Sequence, residues 1–248
     1  MIPKIIHYCW LSGDSYPEKI QYCIDSWKKI LPEYEFMLWD TNKFDMNSCV
    51  WVKQAFENRK YAFAADYIRL FAVYNYGGIY LDCDVEAIKP FDDLLNLPYF
   101  IGKESIDSRM EFAAFGAEKN SPWIKKCLDY YSDKKFIISS EKFDTKVMPD
   151  IVFEELSKYY KIKLIDSIND FVIDNNIVCV FPNDWFCAHV YSTLDSFLSG
   201  EKSAYKITPN TYCVHHFANS WVKVNKIKLF IKQIIMKILS LLSIKSRW

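Results

Sequence analysis

The sequence predicts an α/β domain whose sheet begins with parallel strands. Short apolar runs alternate with helical segments along the chain, which is typical of β-α-β units. Of the residues, 51% are hydrophobic and 17% aromatic, so a substantial core is expected. The 248 residues are enough for one such domain with a small appendage.

Charge and cysteine usage narrow the class of protein further. There are 31 basic and 31 acidic side chains, and nucleic-acid binding, which needs excess positive charge, is therefore not expected. The eight cysteines form no C-x-x-C pair and lack zinc-site spacing, which is typical of a reducing compartment. The N-terminus enters a strand without a signal-peptide pattern, so we expect a cytoplasmic protein.

The first β-α-β unit predicts a parallel pair of strands. Strands are expected over residues 4–10 and 35–39, with a helix capped by Ser15 between them. The right-handed crossover of such a unit brings Trp10 and Asp40 to the same edge of the sheet. Trp10 could stack there on a nucleotide base, or it could simply belong to the core.

Two helices follow, at about residues 48–58 and 61–76. The second is apolar nearly all round, which predicts burial, and its only charged residues are Asp66 and Arg69. These two lie three positions apart on one helix face and could merely pair with each other. The free-energy cost of burying both charges exceeds the stabilisation from one such pair, so a cleft with a polar ligand explains the two residues better.

The chain is organised around residues 76–86. Two glycines lead into a short buried strand, Ile79–Leu81, and Asp82 and Asp84 follow where that strand ends. Ligands of open α/β sheets bind beyond the carboxyl ends of strands, and oxygen ligands suit Mg²⁺ or Mn²⁺. We expect these aspartates to hold a metal and a diphosphate; the alternative is a surface turn whose aspartates cap a helix or pair with lysines.

The second half predicts shorter elements. Residues 132–146 are polar and lysine-rich, and we expect a mobile loop there that could act as an acceptor-side lid. Residues 181–186 are expected to form an aromatic loop. Strands are expected at 99–102, 112–116, 162–165, 171–173 and 178–181, and helices at 92–97, 120–131 and 149–160.

Two adjacent histidines, His215 and His216, lie on a predicted strand. Neighbouring strand residues point to opposite faces, so at most one of them can reach the metal. We assign His216 to the metal; the alternative is a structural hydrogen bond.

Residues 226–244 fit a helix with one apolar arc and a lysine-bearing opposite side. The lysines interrupt it too often for a membrane span, and a basic amphipathic helix in the bilayer interface fits better. An ordinary terminal helix packed on the core is the alternative. We therefore expect a catalytic domain at residues 1–222 and a peripheral membrane helix at 223–248.

Four blocks, in this order, strongly resemble glycosyltransferase family 32, the group with a DXD sugar-binding region. They are residues 2–10, 62–69, 76–84 and 215–221. This resemblance implies a GT-A fold, with a Rossmann-type mixed sheet flanked by helices. It also implies a nucleotide-sugar donor, a divalent metal (Mn²⁺ or Mg²⁺) and retention of anomeric configuration.

The resemblance also implies roles for individual residues. Asp84 is similar to the direct metal ligand, and Asp82 is similar to the partner that reaches the donor's ribose or sugar, or the metal through water. Asp66 and Arg69 are similar to the pair that grips the donor sugar and diphosphate, so Asp82, Asp84 and Arg69 form the expected catalytic group. The residues expected to bind the base, or to close over metal and diphosphate, are Ile6, Tyr8, Trp10, His216, Asn219, Ser220 and Trp221.

The expected function is transfer of a sugar, from a UDP-sugar by preference, to a glycan or lipid-linked acceptor. We expect a role in surface polysaccharide synthesis at the inner face of the membrane. Many family members have a Thr-Gly-Pro block where this chain has Val147-Met148-Pro149. The resemblance therefore supports the donor side of the site but not the acceptor side. The alternatives are a haloacid-dehalogenase-like metal phosphatase and a catalytically silent, membrane-associated sugar-binding protein.

Overall fold

The computed structural model describes residues 1–104, 109–140, 142–190 and 204–218, with the backbone alone at 189, 190 and 204. The helices are α1 Glu18–Ile30, α2 Val50–Glu57, α3 Tyr61–Tyr76, α4 Pro122–Asp129, α5 Met148–Ser157 and α6 Asn183–Phe186, with 3-10 turns at Asp92–Leu94 and Ile168–Asp170. The strands are β1 Ile5–Cys9, β2 Glu35–Trp39, β3 Gly78–Leu81, β4 Val85–Ala87, β5 Tyr99–Lys103, β6 Met110–Ala117, β7 Ile137–Ser139, β8 Lys142–Phe143, β9 Lys161–Leu164, β10 Ile177–Val180, β11 His189–Val190, β12 Ala204–Tyr205 and β13 Cys213–His215.

A mixed five-stranded sheet in the order β2-β1-β3-β6-β5 forms the centre of the fold. Strand β1 runs parallel to β2 and β3, whereas β6 runs antiparallel to β3 and β5. The predicted α/β class, with a mixed sheet flanked by helices, is confirmed, and the GT-A assignment stays an implication of the resemblance. The predicted C-terminal helix lies outside the described residues, and the domain boundary at residue 222 stays a prediction.

Hydrophobic cores cover both faces of this sheet. Successive strand residues point to opposite faces, and Ile79 and Leu81 accordingly join one core while Tyr80 joins the other. The apolar helix α3 packs in the core of Tyr80, as its composition predicted. Helix α1 covers the opposite face.

Local structure differs from the sequence prediction in four places. Helix α1 begins at Glu18, because the residue before Pro17 is disfavoured from helical geometry and Ser15 therefore cannot cap it. The expected loop at 132–146 contains the β7–β8 pair. Residues 171–173 form no strand, and the expected loop at 181–186 contains the short helix α6.

The two glycines between α3 and β3 allow a close approach to strand β1. Gly77 and Gly78 have φ of 68° and 109°, values that favour glycine over residues with a Cβ. A Cβ on Gly78 would lie 2.7 Å from the Ile5 carbonyl oxygen. The turn thus sets β3, and the aspartates that follow it, directly against β1.

All eight cysteines are free thiols. In the part of the chain that the structure describes, no helix has both the length and the apolar character needed to cross a bilayer.

His7 is a fully buried residue of β1 that cross-links three elements. One ring nitrogen, Nε2, lies 2.7 Å from the Gly77 carbonyl oxygen and must donate, whereas Nδ1 accepts from the Trp39 indole at 3.1 Å. Burial lowers the pKa of His7 to about 4, against the opposing effect of the Gly77 hydrogen bond. The ring is therefore neutral and fixed in one tautomer.

We expect His7 to make the stability of the fold pH-dependent. The unfolded chain protonates this histidine near pH 6.5 and the folded protein only near pH 4, so its stabilising effect is complete above 6.5 and is lost as the pH falls toward 4. Urea unfolding between pH 6.5 and 5 should show a steeper loss for the wild type than for His7→Gln, by up to about 1.4 kcal/mol per pH unit. Equal slopes would contradict this account.

Candidate active site

The Asp82–Asp84 turn lies where β3 ends. The Asp82 amide donates to the Ala113 carbonyl of β6 at 2.7 Å, and the Val85 amide closes the turn on the Asp82 carbonyl at 2.9 Å. Between the aspartates, Cys83 is buried and its thiol hydrogen-bonds the Cys9 carbonyl of β1 at 3.2 Å. With Cys83 anchored inward, both carboxylates remain partly accessible.

Arg69 is the cation at the centre of this site. Its guanidinium contacts Asp66 Oδ1 and Asp82 Oδ2, each at 3.1 Å, and donates to the Phe112 carbonyl at 2.8 Å. It also lies over the Tyr80 ring, 4.8 Å from the centroid. Asp66 and Arg69 do pair, as the alternative interpretation held, but Arg69 additionally joins α3 to the Asp82–Asp84 turn.

Burial shapes the protonation of the carboxylates that Arg69 holds. It raises the pKa of Asp66 to about 6 and raises the pKa of Asp82, while the positive charge of Arg69 opposes both shifts. The second Asp82 oxygen accepts from the Tyr80 hydroxyl at 3.0 Å. Both oxygens of Asp82 therefore already have protein partners.

The structure brings His215, and not His216, to the aspartates. The His215 Nε2 atom lies 3.6 Å from Asp84 Oδ1. His216 points away: its Nε2 lies 2.9 Å from Glu86 Oε2, and its Nδ1 lies 2.9 Å from the Tyr205 hydroxyl. The assignment of His216 to the metal is therefore wrong. The register between β13 and β4 places His216 on the same face as Glu86, away from the two aspartates.

Asp84 is held in its ionised form by the chain that follows β13. Its Oδ2 accepts from the Ala218 amide at 2.8 Å, and its carbonyl accepts from the His216 amide at 3.0 Å. Burial raises the pKa of Asp84, but hydrogen bonding and the charge of His215 more than offset this, and the pKa falls to about 2. Burial lowers the pKa of His215, yet the charge of Glu111 and the contact with Asp84 raise it well above its usual range.

Asp82, Asp84 and His215 fit a divalent metal. Each offers one ligand atom, and these atoms all lie within 4.8 Å of one another. Two carboxylates suit Mg²⁺ or Mn²⁺, and the imidazole favours Mn²⁺ of these two ions. Asp84, ionised far below neutral pH, is the stronger candidate ligand.

A cavity of about 590 Å³ adjoins the loop after β1. Trp10 and Asp40 both line it, as expected for residues that leave the sheet at the same edge. Ile6 is wholly buried in the core and Tyr8 packs on Trp27, and neither lines this cavity in the described part of the chain. The predicted site residues Asn219, Ser220 and Trp221 lie outside the described residues.

Sequence reasoning missed two glutamates near His215. Glu111, the single charged residue of β6, is buried, and its Oε2 lies 3.3 Å from His215 Nδ1. Burial and the neighbouring Glu111 raise the pKa of Glu104 to about 7. A lone charge inside the apolar run Met110–Ala117 was the available signal for Glu111; Glu104 offered none.

Comparison with known proteins agrees with this geometry. Residues 17–101 match the family model described as "Glycosyltransferase sugar-binding region containing DXD motif". The chain is therefore similar to DXD-containing glycosyltransferases over about a third of its length. The matched region includes Asp66, Arg69, Asp82 and Asp84, and it agrees with the resemblance to family 32.

Two curated proteins similar to this chain come from yeasts. The chain is 34% identical over 131 residues to "Inositol phosphoceramide mannosyltransferase 3" of Schizosaccharomyces pombe, which covers 50% of this chain and 35% of that protein. It is 36% identical over 112 residues to "Mannosyl phosphorylinositol ceramide synthase SUR1" of Saccharomyces cerevisiae, covering 42% and 28%. The aligned part is thus about a third of each relative's length.

Among solved structures, the chain is similar to "PaToxG Glycosyltransferase". The identity is 24%, the TM-score 0.48, and the alignment covers 63% of this chain and 68% of that one.

Removing the Arg69 guanidinium should strongly destabilise the fold. Arg69→Ala leaves the buried Asp66 and Asp82 carboxylates without their cation, and breaking a buried pair in this way costs about 3–5 kcal/mol. Chemical denaturation at pH 7 measures the loss. The control is Lys125→Ala, which removes an exposed partner of Asp129 and should change stability far less. Similar losses in the two variants would contradict the central role of Arg69.

Proposed function

We propose that the chain is a metal-dependent, retaining glycosyltransferase that moves a sugar from a nucleotide-sugar donor to a glycan or lipid-linked acceptor. The observation that supports this most is the group formed by Asp82, Asp84 and His215, whose ligand atoms lie within 4.8 Å of one another. Next to it, Arg69 adds a buried cation. Together these residues suit a diphosphate bound through a metal.

The protein residues have separable roles in this proposal. Asp82, Asp84 and His215 would hold Mn²⁺ or Mg²⁺, which as a Lewis acid stabilises negative charge developing on the leaving nucleoside diphosphate. Asp66 and Arg69 of α3 would orient the donor sugar and diphosphate, since the Arg69 guanidinium contacts both Asp66 and Asp82. The cavity at Trp10 and Asp40 would hold the nucleoside, with the Trp10 indole available for stacking on the base.

Retention of configuration needs either a carboxylate nucleophile or attack from the face of the leaving group. Glu111 is a poor nucleophile because it is buried and its oxygens accept from Ala113 and His215. We therefore favour front-face transfer. The bond between the anomeric carbon and the phosphate oxygen breaks, the acceptor oxygen bonds to that carbon, and the acceptor proton passes to the leaving phosphate.

The names of the yeast relatives bear on the substrates. One is named as an inositol phosphoceramide mannosyltransferase and the other as a mannosyl phosphorylinositol ceramide synthase, which makes mannose a candidate sugar and a lipid-linked molecule a candidate acceptor. Because only about a third of each relative is aligned, this part of the proposal concerns substrate class alone. A UDP-sugar donor and a role in surface polysaccharide synthesis stay predictions from the sequence.

The phosphatase alternative is less well supported. It would use an aspartate of the Asp82–Asp84 pair as nucleophile, yet both oxygens of Asp82 are held by Tyr80 and Arg69, and Asp84 is held by Ala218. The match to a sugar-binding region also favours transfer to sugar acceptors over phosphate release. A silent sugar-binding protein would share the site and differ only in turnover.

Asp84→Ala should abolish metal-dependent turnover and leave the chain folded. We expect wild-type protein with Mn²⁺ to hydrolyse a nucleotide-sugar slowly without an acceptor, because water can replace the acceptor hydroxyl. Release of nucleoside diphosphate from UDP- and GDP-sugars measures this, and the variant should lose at least about 100-fold, as expected for loss of a key electrostatic stabiliser.

The matched control for Asp84→Ala is Asp25→Ala, an exposed aspartate of α1 outside the proposed site. It should keep metal dependence. Normal turnover by Asp84→Ala would refute the proposal, phosphate release from a simple monoester would support the phosphatase, and binding without turnover would support the silent sugar-binding protein.

The proposal places the enzyme at the inner face of the membrane through its basic C-terminal segment. Deleting residues 226–248 should move the protein from the membrane fraction to the supernatant, because the lysines and the apolar arc are lost together. Sedimentation with anionic vesicles measures this partition. A second variant keeps the full length and changes the five lysines at 226–245 to glutamine, which separates the effect of charge from that of apolar contact. An unchanged membrane partition of the deletion variant would count against the anchor.

A further inference from the structure

The two adjacent histidines each pair with a glutamate, but in different settings. His216 and Glu86 lie diagonally across the β13–β4 pair, 2.9 Å apart, and the Tyr22 hydroxyl donates to the other Glu86 oxygen at 2.6 Å. His215 pairs with Glu111 on its Nδ1 side and faces Asp84 on its Nε2 side. Of these two pairs, the His215–Glu111 pair is the one that adjoins Asp84.

Glu111 has no evident structural reason to be charged. It is the second residue of an apolar strand whose eight residues are all buried, and it is itself 3% exposed. An uncompensated carboxylate there would be costly. Its compensation consists of the Ala113 amide, which donates to Oε1 at 2.7 Å, the Cys187 thiol, and His215.

This arrangement fixes which His215 nitrogen faces the aspartates. An ionised carboxylate can only accept, so the Nδ1 atom, 3.3 Å from Glu111 Oε2, must bear a proton and donate it. Phe217 stacks on the imidazole with the ring centroids 3.8 Å apart and limits its rotation. The remaining nitrogen, Nε2, is directed at Asp84 and becomes the atom available to a metal when metal binding displaces its proton.

We infer that Glu111 is a positioning residue that orients His215 as a metal ligand. The inference rests on the proposed function, because it needs the metal held by Asp82, Asp84 and His215. Carboxylates that hydrogen-bond the far nitrogen of a ligating histidine fix its tautomer and raise its basicity, and their loss typically weakens metal binding about 10–100-fold. Glu111 meets that description; Glu86 does not, since its histidine faces away from the aspartates.

Mn²⁺ affinity, measured by the loss of the free-ion EPR signal in the presence of UDP or GDP, tests this directly without turnover. Glu111→Gln should weaken binding about 10–100-fold. Glu86→Gln is the matched control: it makes the same change beside the neighbouring histidine and should alter the affinity less than about 3-fold. Equal losses in both variants would overturn the inference, because they would reflect negative charge in general.

A double-variant cycle distinguishes positioning from a general structural effect. If Glu111 acts through His215, adding Glu111→Gln to His215→Gln should cost little beyond His215→Gln alone, whereas independent effects would multiply. Multiplying effects would overturn the inference. Melting of each variant without metal verifies that it is folded.

The same titrations separate failure of the inference from failure of the proposed function. A wild-type protein without Mn²⁺ affinity at any nucleotide concentration would refute both. Binding that is abolished by Asp84→Ala but unchanged in Glu111→Gln would refute the role of Glu111 alone. Binding abolished by Cys187→Ser and kept by Asp84→Ala would put the metal between Glu111, Cys187 and His215, which would also overturn the inference.

Discussion

The contact of the Arg69 guanidinium with Asp66 and Asp82 is the interaction on which the rest of the site depends. A helix as apolar as α3 can be buried between strands and neighbouring helices only if its charges are compensated. Arg69 achieves this for Asp66 on its own helix and for Asp82 on the adjoining turn. Because it also donates to the Phe112 carbonyl of β6, the same side chain ties α3, β3 and β6 together where the aspartates lie.

The Asp82–Asp84 turn is held from both sides by segments far away in the sequence. The Ala113 carbonyl accepts from the Asp82 amide, and the Ala218 amide donates to the Asp84 carboxylate. The turn lies between the central sheet and the β4–β13 pair, and neither alone would fix both carboxylates. Rigid support of this kind lets a site place charge without reorganisation when the leaving group forms.

The two aspartates differ in environment although one residue separates them. Burial raises the pKa of Asp82, whereas His215 and the Ala218 amide hold Asp84 at about 2. Asp84 is thus fully ionised, while Asp82 is tied to Arg69 and Tyr80. This asymmetry agrees with the roles that the family resemblance implied, direct metal ligand for Asp84 and partner at the donor for Asp82.

The sequence alone determined the α/β class, the buried α3 helix with its charged pair, and the turn bearing both aspartates, because all depend on local periodicity and composition. Tertiary structure decided which histidine accompanies them. Alternation along a strand shows that His215 and His216 face opposite ways, but the face that meets the aspartates depends on the register of β13 against β4, a pairing over more than a hundred residues. The contact of Glu111 with His215 has the same origin, since no local pattern relates strands so distant along the chain.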